Sequence, residues 1–345
     1  MSDIIFPTYS STPIKPSGPA QSLTDNHGRK ITYLRIGITD RCNLRCIYCM
    51  PEKGIDLMPH DEILTFEELS RIVAIFCRMG INKVRLTGGE PFARLDCMSF
   101  IQHLKGELGV PHLHITTNGV ETYRYIKRLK EIGLSGLNVS LDTLSRSRFV
   151  ELTRRDRLNQ VLRTIDEAVS CGIQLKINTV VTDNTTDEEI HSLAGFVKHL
   201  PISVRFIEHM PFSGDVSTVV NQAELLTNRI NRLFPKLHTV LAHGPSTAQL
   251  YFMVGFQGTI GVIEGKSRCF CAQCNKVRVT PSGILKTCLY DEGVLDLKEM
   301  LRSGKKDKDI DIAIRRAMRG RHIDGRAAEI NSGFNEQQSM ASIGG

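Results

Sequence analysis

Three cysteines fall within eight residues, Cys42, Cys46 and Cys49, in the stretch DRCNLRCIYCM. Thiolates are soft ligands, and three this close on a loop can converge on one metal centre. A structural zinc site wants four closed ligands, and no nearby Cys or His is obvious as the fourth. A [4Fe–4S] cubane held by three thiolates leaves one iron open to a group that is not protein. An open iron is a place for chemistry, as an open coordination position is in other metal sites. A second group, Cys269, Cys271, Cys274 and Cys288, lies in CFCAQCNKVRVTPSGILKTCLY. Its four thiols suit a closed zinc site. The subset Cys271, Cys274 and Cys288, in C-x2-C-x13-C spacing, suits another three-ligand cluster. Between the last two ligands Lys276 and Arg278 share one face of a hairpin candidate, with Pro281-Ser282-Gly283 as its turn. Cations beside an open iron suit a substrate that both binds iron and carries phosphates.

The elements that must position these groups follow a regular pattern. Strand candidates at 31–39, 82–88, 112–117, 136–142, 173–182 and 202–209 alternate with helix candidates near 65–79, 96–108, 121–132, 158–171, 187–199 and 221–233. Thr65 with Glu68 forms a capping-box start for the first helix. This alternation predicts parallel βα units, in either an open doubly wound sheet or an incomplete barrel. A strand buried on both faces reads as nearly continuous apolar residues. Here one face carries polar groups at period two. Lys83, Arg85 and Thr87 share a face, as do Asn138, Ser140 and Asp142, Lys176 and Asn178, Arg205 and His209, and Arg35 with Gly37 and Thr39. A barrel with a wet interior accounts for that better than a packed core. Residues 249–263 read as a hairpin whose glycine spacing is not the dinucleotide fingerprint, and no P-loop occurs. Residues 294–320 read as helical and basic.

Composition narrows the function classes. The chain has 345 residues, a formal charge of +7, no Trp and 6% aromatic residues, which argues against a protein that stacks many bases. No apolar run approaches the roughly 20 residues that span a bilayer. Ten cysteines are far too few for a disulfide scaffold of this length, so a reducing cytoplasm is the expected compartment. Residues 1–28 read as a partly ordered lead-in without a secretory signal, 29–235 as the barrel, 236–325 as a region carrying the second cysteine group, and 326–345 as a tail. Cys77, Cys97 and Cys171 are expected to be buried thiols, and His112 and His114 structural.

CNLRCIYC resembles the signature of the radical S-adenosylmethionine (SAM) enzymes, and Gly88-Gly89-Glu90-Pro91 resembles their GGEP motif. That resemblance implies an incomplete (βα)6 barrel with helices outside. It also implies a cluster on Cys42, Cys46 and Cys49 whose open iron chelates SAM. Further matches in order, VRLTGGEP, TTNG at 116–119, NVSLD at 138–142, RFIE at 205–208 and a terminal IGG, make the chain similar to the GTP-cyclising branch that opens molybdenum cofactor biosynthesis. The similarity runs over roughly residues 28–345. It implies a second [4Fe–4S] cluster on Cys271, Cys274 and Cys288 that binds the guanine base. SAM contacts are implied at Tyr48, Gly89, Glu90, Ser140 and Met210. GTP contacts are implied at Arg35, Lys83, Arg85, Thr116, Lys176, Arg205, Lys276, Val277 and Arg278, with Arg278 also taking part in the chemistry. The Gly344-Gly345 tail is implied to reach the site. Lys276 stands where the branch usually has Arg, which keeps the charge and loses the planar fork.

A reducing electron donor, flavodoxin-like or similar, and a downstream cyclic pyranopterin monophosphate synthase are the implied partners, with no nucleic acid or membrane and a monomer or homodimer. Two other readings stay open from sequence: a radical SAM enzyme acting on a peptide, and a zinc-stabilised nucleic-acid-binding protein. The second leaves Cys42, Cys46 and Cys49 without a purpose.

Overall fold

A computed structural model of the chain describes residues 22–210, 224–241, 244–265, 267–331 and 340–343. Six parallel strands, β1 (Tyr33–Gly37), β2 (Lys83–Thr87), β3 (His112–Thr117), β4 (Gly136–Ser140), β5 (Leu175–Val181) and β6 (Ser203–Glu208), pair in chain order. Between them run the helices Phe66–Arg78, Cys97–Gly106, Ile126–Glu131, Leu158–Ser170 and Asp187–His199, and Leu226–Leu233 follows β6. This is the expected (βα)6 arc. The capping box of Thr65 and Glu68 is formed as expected. A short helix, Arg146–Thr153, was not foreseen; its apolar pattern is weak, and Ser145 starts it by accepting from the Arg148 N–H.

The later strands are β7 (His238–Val240), β8 (Gln249–Phe252), β9 (Thr259–Ile263), β10 (Lys276–Val279), β11 (Ile284–Lys286) and β12 (Leu295–Asp296). The expected hairpins form: β8 is antiparallel to β9, and β10 to β11 across a turn in which Gly283 has φ +88. Beyond expectation, β9 also joins β6 in parallel, and β10 joins β1 in parallel. The C-terminal part therefore extends both edges of the arc.

Strand parity sorts the faces. Leu34, Ile36, Val84, Leu86, Ile115, Val139, Ile177 and Phe206 are fully buried and face the helices. The helix Leu158–Ser170 answers with Leu158, Val161, Ile165 and Ala168 at helical spacing. Each such side chain contributes roughly 1.5–3 kcal/mol of burial. The expected lead-in is partly built in: Leu23 belongs to this core, and Thr24 bridges to Lys30. Cys97 is buried, while Cys77 and Cys171 are half-buried against the core.

Candidate functional site

The thiol loop follows β1, and a Gly-Gly segment holds it from below. The Gly89 N–H donates to Thr39 O at 2.7 Å, and the Glu90 N–H to Arg41 O at 2.8 Å. A Cβ on Gly88 would lie 2.3 Å from Thr39 O, and one on Gly89 2.3 Å from Arg41 O. Gly88 also has φ +134, which a side chain disfavours. Two backbones thus touch where side chains do not fit, just before Cys42. Arg45 folds back onto the carbonyls of Cys42 and Leu44, and Arg154 onto those of Arg45 and Met50. Asn118 reaches Asn43 Oδ1 at 2.6 Å and Cys42 Sγ at 3.6 Å. Tyr48 donates to Asp142 Oδ2 at 2.6 Å. Burial, then the nearby Cys49, Asp142 and Cys42 charges, push the Cys46 thiol well above its ordinary range. Three thiolates packed this way need a cationic centre among them.

Cys271 and Cys274 sit on a tight turn, with the Cys274 N–H donating to Cys271 O at 3.1 Å. The Cys288 N–H is held by Asp291 at 2.8 Å. The side chain of Cys269 lies outside the described residues. Among the described residues no three Cys, His, Asp or Glu side chains converge on the point a single ion would occupy. A structural zinc takes four closed protein ligands, whereas a cubane held by three thiolates keeps one iron open. Both trios suit the cubane on donor type and spacing.

Register places the two trios apart. Tyr33 pairs with Lys276, so Cys274 lies beside the N-terminal end of β1, while Cys42 follows its C-terminal end. Five residues of strand separate these ends, about 16 Å at the rise of a parallel strand. All six cysteines line one cavity of about 570 Å³. Its wall also carries seven cations, Arg35, Lys83, Arg85, Lys176, Arg205, Lys276 and Arg278, with Glu208 as the acid among the described lining residues. Arg278, Arg35 and Arg85 stand side by side on β10, β1 and β2.

So much positive charge, half out of water, disturbs itself. Burial and then the charges of Arg278 and Arg85 pull Arg35 down to about 9, and burial with Arg85 pulls Arg205 to about 10. Burial and the Arg205, Lys83 and Arg85 charges bring Lys176 to about 7. Tyr33 answers them from within the row. Burial raises its phenol, but Arg85, Arg35 and Lys83 outweigh that and bring it to about 7, with Arg85 Nε donating to its oxygen at 2.5 Å. Arg35 Nε, Arg205 Nε and Asn178 Oδ1 are buried without a hydrogen-bond partner among the described residues. Such groups are costly unless a ligand pairs them. The wall fits a polyanion.

Of the expected site residues, Tyr48, Gly89, Ser140, Met210, Thr116, all seven cations and both trios come together on this cavity. Two do not. Val277 is fully buried in the core between Lys276 and Arg278, because strand alternation turns it to the other face. Glu90 is buried away from the wall, its carboxylate held by Thr117 Oγ1 at 2.8 Å and the N–H groups of Asn118 and Phe92. It braces β2 against β3 and Asn118 against the thiol loop. Gly344 and Gly345 lie outside the described residues. Tyr33, Thr247 and Tyr290 were missed. Tyr33 shares the face of Arg35, two residues earlier on the same alternation. Thr247 accepts from Lys276 Nζ at 2.6 Å, and Tyr290 donates to Met210 Sδ at 3.1 Å, both long-range meetings that no local pattern announces.

Comparison with known proteins agrees with this geometry. Residues 36–197 match the Radical SAM superfamily and residues 202–325 match Molybdenum Cofactor Synthesis C. The crystal structure of SuiB from Streptococcus suis bound to its precursor peptide is similar in fold, with a TM-score of 0.59 and 16% identity over 90% of this chain and 73% of that one. The chain is 37% identical over 326 residues to molybdenum cofactor biosynthesis protein 1 of Mus musculus, covering 93% of this chain but 51% of the mouse protein. It thus spans about half the length of such animal relatives. It is 38% identical to the mitochondrial GTP 3′,8-cyclase of Arabidopsis thaliana, over 96% of this chain and 86% of that protein. It is 36% identical to the GTP 3′,8-cyclase of Moorella thermoacetica, over 94% of this chain and 100% of that one. A two-trio cavity and near full-length kinship lead to one statement: the chain belongs to the GTP 3′,8-cyclase family of radical SAM proteins.

Proposed function

We propose that this chain cyclises GTP between ribose C3′ and guanine C8, the step that opens molybdenum cofactor biosynthesis. The observation that carries the reading is a single cavity with one thiol trio at each end and the cationic row between them. The cofactors are SAM and two [4Fe–4S] clusters. When bound, the N-terminal cluster and SAM supply a 5′-deoxyadenosyl radical by one-electron cleavage. Cys42, Cys46 and Cys49 would hold that cluster, and Cys271, Cys274 and Cys288 the other. Tyr48, Gly89, Ser140 and Met210 would line the SAM side. Arg35, Lys83, Arg85, Lys176, Arg205, Lys276 and Arg278 would hold the triphosphate and fix the ribose between the two trios, with Thr116 beside them. Arg278, next to the C-terminal trio, is the cation placed to touch the reacting nucleoside. Orienting ribose and base in one geometry contributes to rate by proximity.

Residues 29–235 would then supply the barrel, 236–325 the GTP-binding region and 326–345 a tail reaching the site. A flavodoxin-like donor would reduce the chain, and a pyranopterin-forming enzyme would consume the product. Among the described residues no helix is long and apolar enough to cross a membrane; a cytoplasmic site of action belongs to the proposal.

Anaerobic reconstitution tests it. About eight irons and eight sulfides per chain are expected, with 5′-deoxyadenosine formation that rises sharply with GTP above a slow uncoupled background. Four irons plus zinc, or SAM cleavage indifferent to GTP, would sink the reading.

The two groups at about 7 give a pH dependence. A bound triphosphate favours charged Lys176 and neutral Tyr33, so both take up protons on binding. Affinity is full below about 7 and falls as pH rises through it. Between pH 6.5 and 8.5 the GTP Kd should weaken by about tenfold. Calorimetry in buffers of different ionisation enthalpy should show net proton uptake, reduced in Tyr33→Phe. Tighter binding at the higher pH would contradict it, and that is the direction ionisation of the nucleotide's own phosphate predicts.

A further inference from the structure

The segment 22–31 returns to the C-terminal trio through one buried ion cluster. Asp25, its side chain 0% exposed, binds Arg29 Nε at 2.7 Å and Arg321 Nη1 at 3.2 Å. Arg321, its side chain 3% exposed, donates from Nη1 to Cys274 O at 3.1 Å and from Nη2 to Cys274 Sγ at 3.1 Å and Lys276 O at 3.1 Å. Arg29 Nη1 donates to Cys271 O at 2.9 Å. The backbones of two trio cysteines are therefore gripped by two guanidiniums that share one carboxylate.

The charges in this cluster do not cancel. Two guanidiniums against one carboxylate leave one positive charge out of water, and a buried charge is costly unless paired. Besides two carbonyls, Arg321 reaches one ionisable group beyond Asp25, the Cys274 sulfur. A thiolate there pairs with Arg321 and also faces the Lys276 ammonium. Hydrogen bonds and positive charge at a cluster's sulfurs favour its more negative, reduced state.

We propose that Arg321, braced by Asp25, is a positioning residue for the C-terminal trio: its guanidinium holds the Cys274 thiolate and raises the reduction potential of the cluster bound there. The inference rests on the two-cluster reading above. It gives the N-terminal segment a task at the far end of the chain. It also links cluster and substrate, because the same guanidinium holds the Lys276 carbonyl at the start of β10.

The test is an EPR-monitored redox titration of the reconstituted full chain, with iron counted in every sample. The C-terminal signal is the one that SAM addition leaves unchanged. In Arg321→Gln the ratio of reduced to oxidised C-terminal cluster at a fixed poise should fall about tenfold, a shift of about 59 mV for one electron. Asp25→Asn removes the carboxylate that offsets the guanidinium, so its shift should run the opposite way. A residue that only supports the fold gives no reason for opposed signs. Unchanged potentials in both variants with eight irons retained, or shifts of the same sign, would overturn the proposal. If Arg321→Gln loses the C-terminal irons, Arg321→Lys decides. Retained iron there supports the need for a charge, and loss there refutes it. Four irons in the unsubstituted chain would instead sink the two-cluster reading, a separate outcome.

Discussion

Cys42→Ala is expected to abolish SAM cleavage, with 5′-deoxyadenosine falling to background and iron falling to about four per chain. Cys42 is the trio member fixed from both sides. The segment before it is docked on Gly88 and Gly89, and Asn118 and the Leu44 N–H reach its sulfur. Those contacts also let the loop keep its shape once the thiol is removed, so the loss is one of ligation and not of folding. Cys271→Ala should differ in kind. Its trio lies at the opposite strand end, so the N-terminal cluster and uncoupled SAM reduction should survive while GTP-dependent turnover collapses. Iron analysis, product quantification and GTP binding measured together separate the two. Equal effects of both substitutions on SAM cleavage without GTP would contradict the assignment of separate tasks.

Arg35→Met should bind GTP more weakly and unfold at a higher temperature than the natural chain. Arg35 stands between Arg278 and Arg85 and is held below its ordinary range by burial first and then by their charges. Its buried Nε has no hydrogen-bond partner among the described residues. Removing it relieves repulsion and desolvation in the free protein, a gain on the order of 1 kcal/mol. With triphosphate bound, the same cation is an asset, and its loss should cost about 2 kcal/mol, ~30-fold in Kd. Calorimetric binding and thermal unfolding without nucleotide check the two halves. A fall in both affinity and Tm would show that Arg35 serves packing instead of the ligand.

Strand parity makes the cavity wall legible in the sequence. A half-wet strand must alternate, so Lys83, Arg85, Asn138, Lys176 and Arg205 announced an interior face, and the structure puts all of them on the cavity. The thiol trios were readable because ligands close in sequence need little help from the fold. The same alternation rule, applied consistently, separates Val277 from Lys276 and Arg278 and brings in Tyr33. Glu90 lies off the cavity for another reason. A motif names the residues at a site, but only the fold reveals that this carboxylate is consumed by Thr117, Asn118 and Phe92. The pairing of β10 with β1, the Lys276–Thr247 contact and the Asp25–Arg321 ion pair join residues far apart in the chain and leave no local trace.

The placement of β9 and β10 on opposite edges of the arc has a consequence for how the protein is made. Val277 pairs with Leu34 about 240 residues after Leu34 leaves the ribosome. At roughly 5–20 residues per second, β1 waits on the order of 10–50 s for that neighbour. During this interval the arc has an unpaired edge on the side where Tyr33 and Arg35 stand. Unpaired strand edges are where other chains add. The Arg35 charge on β1 works against addition of a further copy at that edge. Local helix–strand units can form early, while closure over such a sequence distance is intrinsically slow. The cavity therefore closes late, and iron delivered before residue 288 has been synthesised can find only one of the two trios complete.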